Sequence, residues 1–194
     1  MKTDIVLAGV GGQGILTIAT ILGAAALNDN LYLKQAEVHG MSQRGGDVQS
    51  NLRLSSSPIH SDLIPLGGAD LIVSLEPMEA LRYLPFLKKE GWIVTNSLPF
   101  VNIDNYPEME NVEKELKRHP HVVCFDMEEA AKEVATARSS NLVLLGAASP
   151  FIDLAPEKIE DAIRAVFIPK GEKIVEANIS AFRAGRKRAQ QMKS

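Results

Sequence analysis

The chain contains one cysteine, Cys124, among 194 residues. Internal disulfides are thereby excluded, as is any iron–sulfur or zinc site built from several cysteines of one chain. Cys124 lies within Val122-Val123-Cys124-Phe125, an apolar strand pattern in which a thiol serves as a small hydrophobe. Histidine is also sparse. His39, His60, His119 and His121 share no helical ligand spacing, and His119-Pro120-His121 reads as a surface turn, so no metal site is expected.

Excess charge of one sign is absent too. A net charge of −3 and a pI near 5.8 provide no field that favours nucleic acid or an anionic membrane. No apolar run approaches the roughly 20 residues that span a bilayer. The first residues lack the basic segment and unbroken apolar run of a signal peptide, and a cytoplasmic location is expected. What the chain does have is a 45% hydrophobic content without repeats or low-complexity linkers, enough for one large domain over residues 1–194.

The most informative stretch is the beginning. The apolar run Ile5-Val6-Leu7-Ala8 feeds into Gly9-Val10-Gly11-Gly12-Gln13-Gly14, and an Ala- and Leu-rich segment follows to about Leu27. This is a strand, a glycine turn and a helix. The spacing Gly9, Gly11, Gly14 satisfies the dinucleotide-type fingerprint, and the helix start would present amide groups and the positive dipole end to an anion. A sharp strand-to-helix turn needs glycine whatever it binds, so the motif alone also fits a purely structural role.

Further along, Leu31 to Val38 reads as a second strand, and Asp47 to Leu54 alternates as a strand that would form a hairpin excursion. Apolar strands are expected at Asp70 to Leu75, Trp92 to Thr95 and Val122 to Phe125. Pro77 stands where a helix start accepts proline, and Asn111 to Arg118 is a short charged helix. Pro99 to Pro107 is a loop whose Phe100 and Val101 suit either a partner surface or ordinary packing. Glu76 is placed either to cap the next helix or to line a cleft. The last third is helical: Met127 to Ala137 behind an N-cap at Asp126, Asn141 to Ala148 apolar nearly all round, Pro156 to Val166, and Lys170 to Lys193 with a basic end. The expected fold is an α/β, three-layer Rossmann-like sandwich: a mostly parallel sheet, a β-hairpin excursion and a helical C-terminal third.

A second segment, Glu37-Val38-His39-Gly40-Met41-Ser42-Gln43-Arg44-Gly45-Gly46, follows the second strand. In a doubly wound sheet it would lie at the carboxyl edge, beside the first glycine turn. Ser42, Gln43 and Arg44 supply hydroxyl, amide and guanidinium donors suited to phosphate or carboxylate, although Arg44 would equally serve an internal ion pair. Glu37 stands about where a dinucleotide fold places its ribose-binding acid, which keeps an NAD- or FAD-binding oxidoreductase open. A free-standing ligand-binding protein is a third alternative.

Together, Gly9 to Ile15, Glu37 to Gly46, and Asp70 to Glu76 leading into Pro77 resemble the gamma-type subunit or domain of 2-oxoacid:ferredoxin oxidoreductases, over nearly the whole chain. Within that family, the Glu37 to Gly46 wording is most similar to the beta subunit of the indolepyruvate branch. The resemblance implies an enzyme complex that oxidatively decarboxylates a 2-oxoacid on thiamine diphosphate, passes electrons through [4Fe–4S] clusters to ferredoxin and releases an acyl-CoA. This chain lacks the parts for that chemistry. It has one cysteine, and Gly46-Asp47 is its single Gly-Asp pair, without the Gly-Asp-Gly and Asn-rich pattern that holds thiamine diphosphate and magnesium. The resemblance therefore implies a large alpha subunit carrying thiamine diphosphate, Mg and the clusters, with no catalytic residue in this chain. Its expected share is contact with coenzyme A through Gly9, Gly11, Gly12, Gln13, Gly14, His39, Ser42, Gln43, Arg44, Gly45 and Gly46.

Overall fold

The computed structural model describes residues 1–39, 45–101 and 103–193. Among these residues, six strands form one sheet: β1 (Lys2–Val10), β2 (Tyr32–His39), β3 (Asp47–Ser55), β4 (Ala69–Ser74), β5 (Leu87–Asn96) and β6 (Val122–Phe125). Their spatial order is β2-β3-β1-β4-β5-β6. The pairs β1/β4, β4/β5 and β5/β6 are parallel, while β3 runs antiparallel to both β1 and β2. The expected layered α/β fold with its hairpin excursion is observed.

Among the described residues, seven α-helices accompany the sheet: α1 (Ile15–Asn28), α2 (Pro77–Arg82), α3 (Met109–Leu116), α4 (Met127–Val134), α5 (Ser140–Ala148), α6 (Pro156–Phe167) and α7 (Glu172–Lys193). The central strands are buried on both faces, so they read as continuous apolar runs rather than alternating ones. On β1, Ile5 and Leu7 face a core shared with α1 and α4 to α7, while Val6 and Ala8 face a smaller core with Ala80, Tyr83, Val112 and Leu116. Opposite parity along one strand thus separates two helical layers.

α5 forms the centre of the larger layer. All its residues from Asn141 to Ala148 are buried, as its all-round apolarity predicts. It crosses α7 so closely that a Cβ on Gly146 would stand 1.9 Å from the Phe182 carbonyl oxygen. One on Gly185 would stand 1.9 Å from that of Val143. Backbone here packs on backbone, and only glycine permits it.

The hairpin is tied to the sheet by charge. Asp4 on β1 faces Arg53 on β3, and the guanidinium grips the carboxylate at 2.8 and 3.0 Å. Burial works against that charge, but the bonds from Arg53 and Lys2 hold the Asp4 carboxyl below its ordinary pKa. Arg53 also donates to the carbonyls of Ser61 and Leu63, anchoring the loop after β3.

Several boundaries differ from expectation. β5 begins at Leu87, because Lys88, Lys89 and Glu90 belong to a strand whose start is solvent-facing and lacks an apolar signature. α4 ends at Val134, after which Thr136 is extended and residues 137–139 make a 3-10 turn. α7 begins at Glu172, behind Gly171 at φ 98°. Cys124 is half-buried rather than fully enclosed. Burial, with the charge of Glu113 behind it, raises its pKa to about 11, which keeps it a protonated, unreactive thiol.

Replacing Gly146 by Ala is expected to destabilise the chain by about 3 kcal/mol or more, since the added methyl meets backbone that no rotamer change can move. The midpoint of denaturant unfolding measures it, and a loss under about 1 kcal/mol would contradict the close crossing.

Candidate functional site

The glycine turn stands at the carboxyl end of β1, and its four glycines do different work. A Cβ on Gly9 would stand 2.8 Å from Ile15 Cγ1 and 2.9 Å from Gln13 Oε1. One on Gly14 would stand 2.7 Å from Asn141 Nδ2. Those two glycines allow the turn to pack against α1 and α5. Gly12, at φ 99°, has open space where a Cβ would stand, so its requirement is backbone conformation beside a free approach. Gly11 donates its N–H to the Gly46 carbonyl at 2.8 Å, which joins the turn to the start of β3.

Gln13 closes the turn. Its Oε1 accepts the Val10 N–H at 2.8 Å, and its Nε2 donates to the Leu75 carbonyl at the end of β4, 3.4 Å away. The side chain offered by sequence as a ligand contact is therefore engaged in bridging β1 and β4. α1 starts with no capping side chain and no acid in its first turn, which leaves the positive dipole end unneutralised.

Two recesses flank Val10. One, of about 240 Å³, is lined by Gly12, Gly14, Ile15, Leu16 and Val48. The other, of about 170 Å³, is lined by Gly45, Asp47, Glu76, Glu79, Arg82 and Tyr106, among others. Gly45, at φ 77°, again has open space in place of a Cβ. His39 pairs with Val48, which pairs with Gly9, so the last described residue of β2 lies at the same sheet edge. Ser42, Gln43 and Arg44, with Gly40 and Met41, fall outside the described residues.

Glu37 is not where a dinucleotide fold would need it. It pairs with Ser50 of β3, and Ser50 pairs with Leu7 of β1, so a whole strand intervenes between Glu37 and the strand that carries the glycine turn. Alternation alone shows that β3 is a strand, not that it inserts between its predecessors.

The second recess holds a polar network that the sequence did not announce. Glu76, 1% exposed, caps α2 by accepting the Glu79 N–H at 2.8 Å. Its other oxygen accepts from the Tyr106 hydroxyl and from the Phe100 N–H at 3.4 Å. Both roles foreseen for Glu76, capping and lining a cleft, are realised together. Asp47 accepts from the Tyr83 hydroxyl at 2.7 Å, and Glu79 is gripped by Arg82 at 2.8 and 3.1 Å. Burial raises the Glu79 pKa, Arg82 opposes that, and the nearby Asp47 charge adds to it. Glu79 and Arg82 could have been found from their three-residue helical spacing. Tyr106 gave no local signal, because its partner is 30 residues away.

Comparison with known proteins agrees with this architecture. Residues 4–188 match the family model described as pyruvate ferredoxin/flavodoxin oxidoreductase. The chain is 39% identical to the indolepyruvate oxidoreductase subunit IorB of Thermococcus kodakarensis, over 97% of this chain and 96% of that protein. It is 33% identical to the 2-oxoglutarate synthase subunit KorC of Methanocaldococcus jannaschii, over 95% and 92%. Among solved structures it resembles the gamma subunit of a keto/oxoacid ferredoxin oxidoreductase from Geobacter sulfurreducens, with a TM-score of 0.70, 25% identity and 97% and 99% of the two chains covered. It also shares the fold of part of 2-oxoglutarate:ferredoxin oxidoreductase from Magnetococcus marinus, with a TM-score of 0.77, 23% identity, 98% of this chain and 31% of that one. The chain belongs to the pyruvate ferredoxin/flavodoxin oxidoreductase family, as a gamma-type subunit of a 2-oxoacid:ferredoxin oxidoreductase.

Tyr83 and Tyr106 both have pKa values raised above the ordinary 10, first by burial and then by the carboxylates they bond. A raised folded-state value means that this stabilisation is complete below the unfolded pKa and is lost as pH rises above it. In an absorbance titration, two of the three tyrosines are therefore expected to ionise only in a late step coincident with alkaline unfolding. Tyr106→Phe should remove one phenol from that late step. Early ionisation of all three would contradict the network.

Proposed function

We propose that this chain is the non-redox subunit of an indolepyruvate:ferredoxin oxidoreductase and that its glycine turn helps to bind coenzyme A. The observation that carries the substrate branch is the near full-length 39% identity to an indolepyruvate oxidoreductase subunit. The Glu37 to Gly46 wording points the same way. In this reading, a large alpha subunit holds thiamine diphosphate, Mg and the [4Fe–4S] clusters, oxidises the aryl 2-oxoacid and delivers electrons to ferredoxin. The single cysteine and the lack of a thiamine-binding pattern support that division of labour. No helix among the described residues is long and apolar enough to cross a membrane. We assign the complex to the cytoplasm.

The residues at the carboxyl edge suit a phosphate-bearing co-substrate. Gly12 leaves backbone open to close approach, and the uncapped start of α1 favours an anion. Arg44 would supply the guanidinium, with Ser42 and Gln43 as neutral donors and His39 beside them. Gly9, Gly14 and Gln13 hold the turn in shape, while Gly11 and Gly46 join it to the loop. Exposed Leu16, Val38, Phe100, Val101 and Ile103 surround this edge, as expected of a surface that a larger subunit covers. An independent NAD- or FAD-binding role is disfavoured by the strand that separates Glu37 from the glycine turn.

Coexpression with the thiamine-dependent subunits of the same genome, followed by copurification and assay of dye reduction, tests the assignment. Indolepyruvate- and CoA-dependent activity that needs both chains is expected. In that complex, Arg44→Ala should raise the CoA concentration needed for half-maximal rate by about tenfold, the effect of losing one charge-assisted phosphate contact. An unchanged CoA dependence would remove Arg44 from the site. Failure to copurify with any such subunit would remove the functional assignment itself.

A further inference from the structure

The smaller carboxyl-edge recess, of about 170 Å³, gathers more negative charge than its lining neutralises. Asp47 enters it from the start of β3, Glu76 from the N-cap of α2 and Glu79 from the first turn of that helix. Arg82 is the single cation that lines it among the described residues. The remaining donors are neutral phenols, Tyr83 bonded to Asp47 and Tyr106 bonded to Glu76. Three carboxyls therefore meet one guanidinium. Glu76 and Glu79 are 1% and 7% exposed, so water does little to screen the excess.

Glu76 has a donor for each oxygen: the Glu79 N–H on one, and the Phe100 N–H and Tyr106 hydroxyl on the other. Asp47 does not. Its Oδ2 accepts from the Tyr83 hydroxyl at 2.7 Å, but Oδ1 is buried with no donor among the described residues. The group it does meet is the Glu79 carboxyl, which lies in hydrogen-bonding contact with the Asp47 carboxyl. Two ionised carboxyls in contact repel, and neither can donate to the other. One proton resolves both problems, since it cancels a negative charge and supplies the missing donor. Burial raises the Glu79 pKa and the Asp47 charge adds to it, against the pull of Arg82, so Glu79 is the side that holds the proton. A neutral carboxyl keeps acceptor capacity, and the Arg82 bonds at 2.8 and 3.1 Å survive.

We propose that Asp47 and Glu79 share one proton at neutral pH, and that this proton clasps the start of β3 to α2. The Glu79 O–H donates to Asp47 Oδ1. Asp47 stands opposite Val10 at the end of β1 and follows Gly46, which accepts from Gly11 of the glycine turn. Loss of the proton to solvent leaves two facing anions, pushes Asp47 from α2 and loosens this edge as pH rises. The other titratable groups around the pair are Glu76, Arg82, Tyr83 and Tyr106, and both phenols stay neutral because their own values are raised above 10. In the unfolded chain Glu79 returns to its ordinary value of 4.5. The stabilisation is therefore complete below that value and is lost as pH rises through the raised folded one. The clasp does not rest on the substrate assignment above.

Glu79→Gln and Asp47→Asn each place an amide in the pair, which supplies an N–H donor without a titrating proton. In infrared spectra of the full 194-residue chain at neutral pH, the wild type is expected to show a protonated-carboxyl stretch that shifts in D2O and that both variants lack. The pH dependence of the denaturant midpoint should show the wild type releasing about one proton more than E79Q on unfolding. Backbone hydrogen exchange at residues 45–49 should accelerate in the wild type relative to E79Q over the pH range in which the stretch disappears. If either variant fails to fold, the other supplies every comparison. A wild-type spectrum without the stretch, a stretch that persists in the variants, equal proton release, or equal exchange in the two chains would each overturn the proposal.

Discussion

The close crossing of α5 and α7 is the constraint on which the rest of the larger helical layer depends. Helix axes normally stand 8–10 Å apart, with the separation set by the side chains between them. At Gly146 and Gly185 there are none, and backbone meets backbone. α5 can therefore be enclosed between the sheet and α7, which accounts for the burial of every residue from Asn141 to Ala148. With α5 fixed, its first turn is fixed too, and Asn141 is delivered to the Gly14 carbonyl. The glycine turn is held from behind by a helix 127 residues further along the chain.

That support changes the meaning of the fingerprint. Gly9 and Gly14 answer to packing, Gly11 to a hydrogen bond with the loop, and Gly12 to a backbone conformation beside open space. Gln13 uses both ends of its amide to lock the turn against β1 and β4. The motif thus divides position by position: Gly9, Gly14 and Gln13 build a rigid frame, and Gly12 stands beside open space. Rigidity of this kind suits a site that must present a few donors without the entropic cost of ordering them on binding.

Much of this was legible before any coordinates. Apolar runs marked β1, β4 and β6 because parallel strands buried on both faces cannot alternate. The all-round apolarity of residues 141–148 marked a buried helix. What was not legible is long-range. The insertion of β3 between β2 and β1 depends on pairing registers that local periodicity does not encode, and it displaced Glu37 from the position a dinucleotide fold would give it. The bonds from Tyr106 to Glu76 and from Asn141 to Gly14 likewise join residues with no sequence proximity.

The antiparallel excursion has a further consequence for the edge where the candidate site lies. In a purely parallel doubly wound sheet, the second strand would flank β1 and leave a crevice between their carboxyl ends. Here β3 fills that position and runs the other way, so its first residue, Asp47, pairs with Val10 at the very edge where β1 ends. The described residues that flank the β2–β3 connection stand beside the glycine turn: His39 pairs with Val48, Gly46 accepts from Gly11, and Asp47 is held by Tyr83. One change in strand order thereby removes the geometry of a dinucleotide crevice.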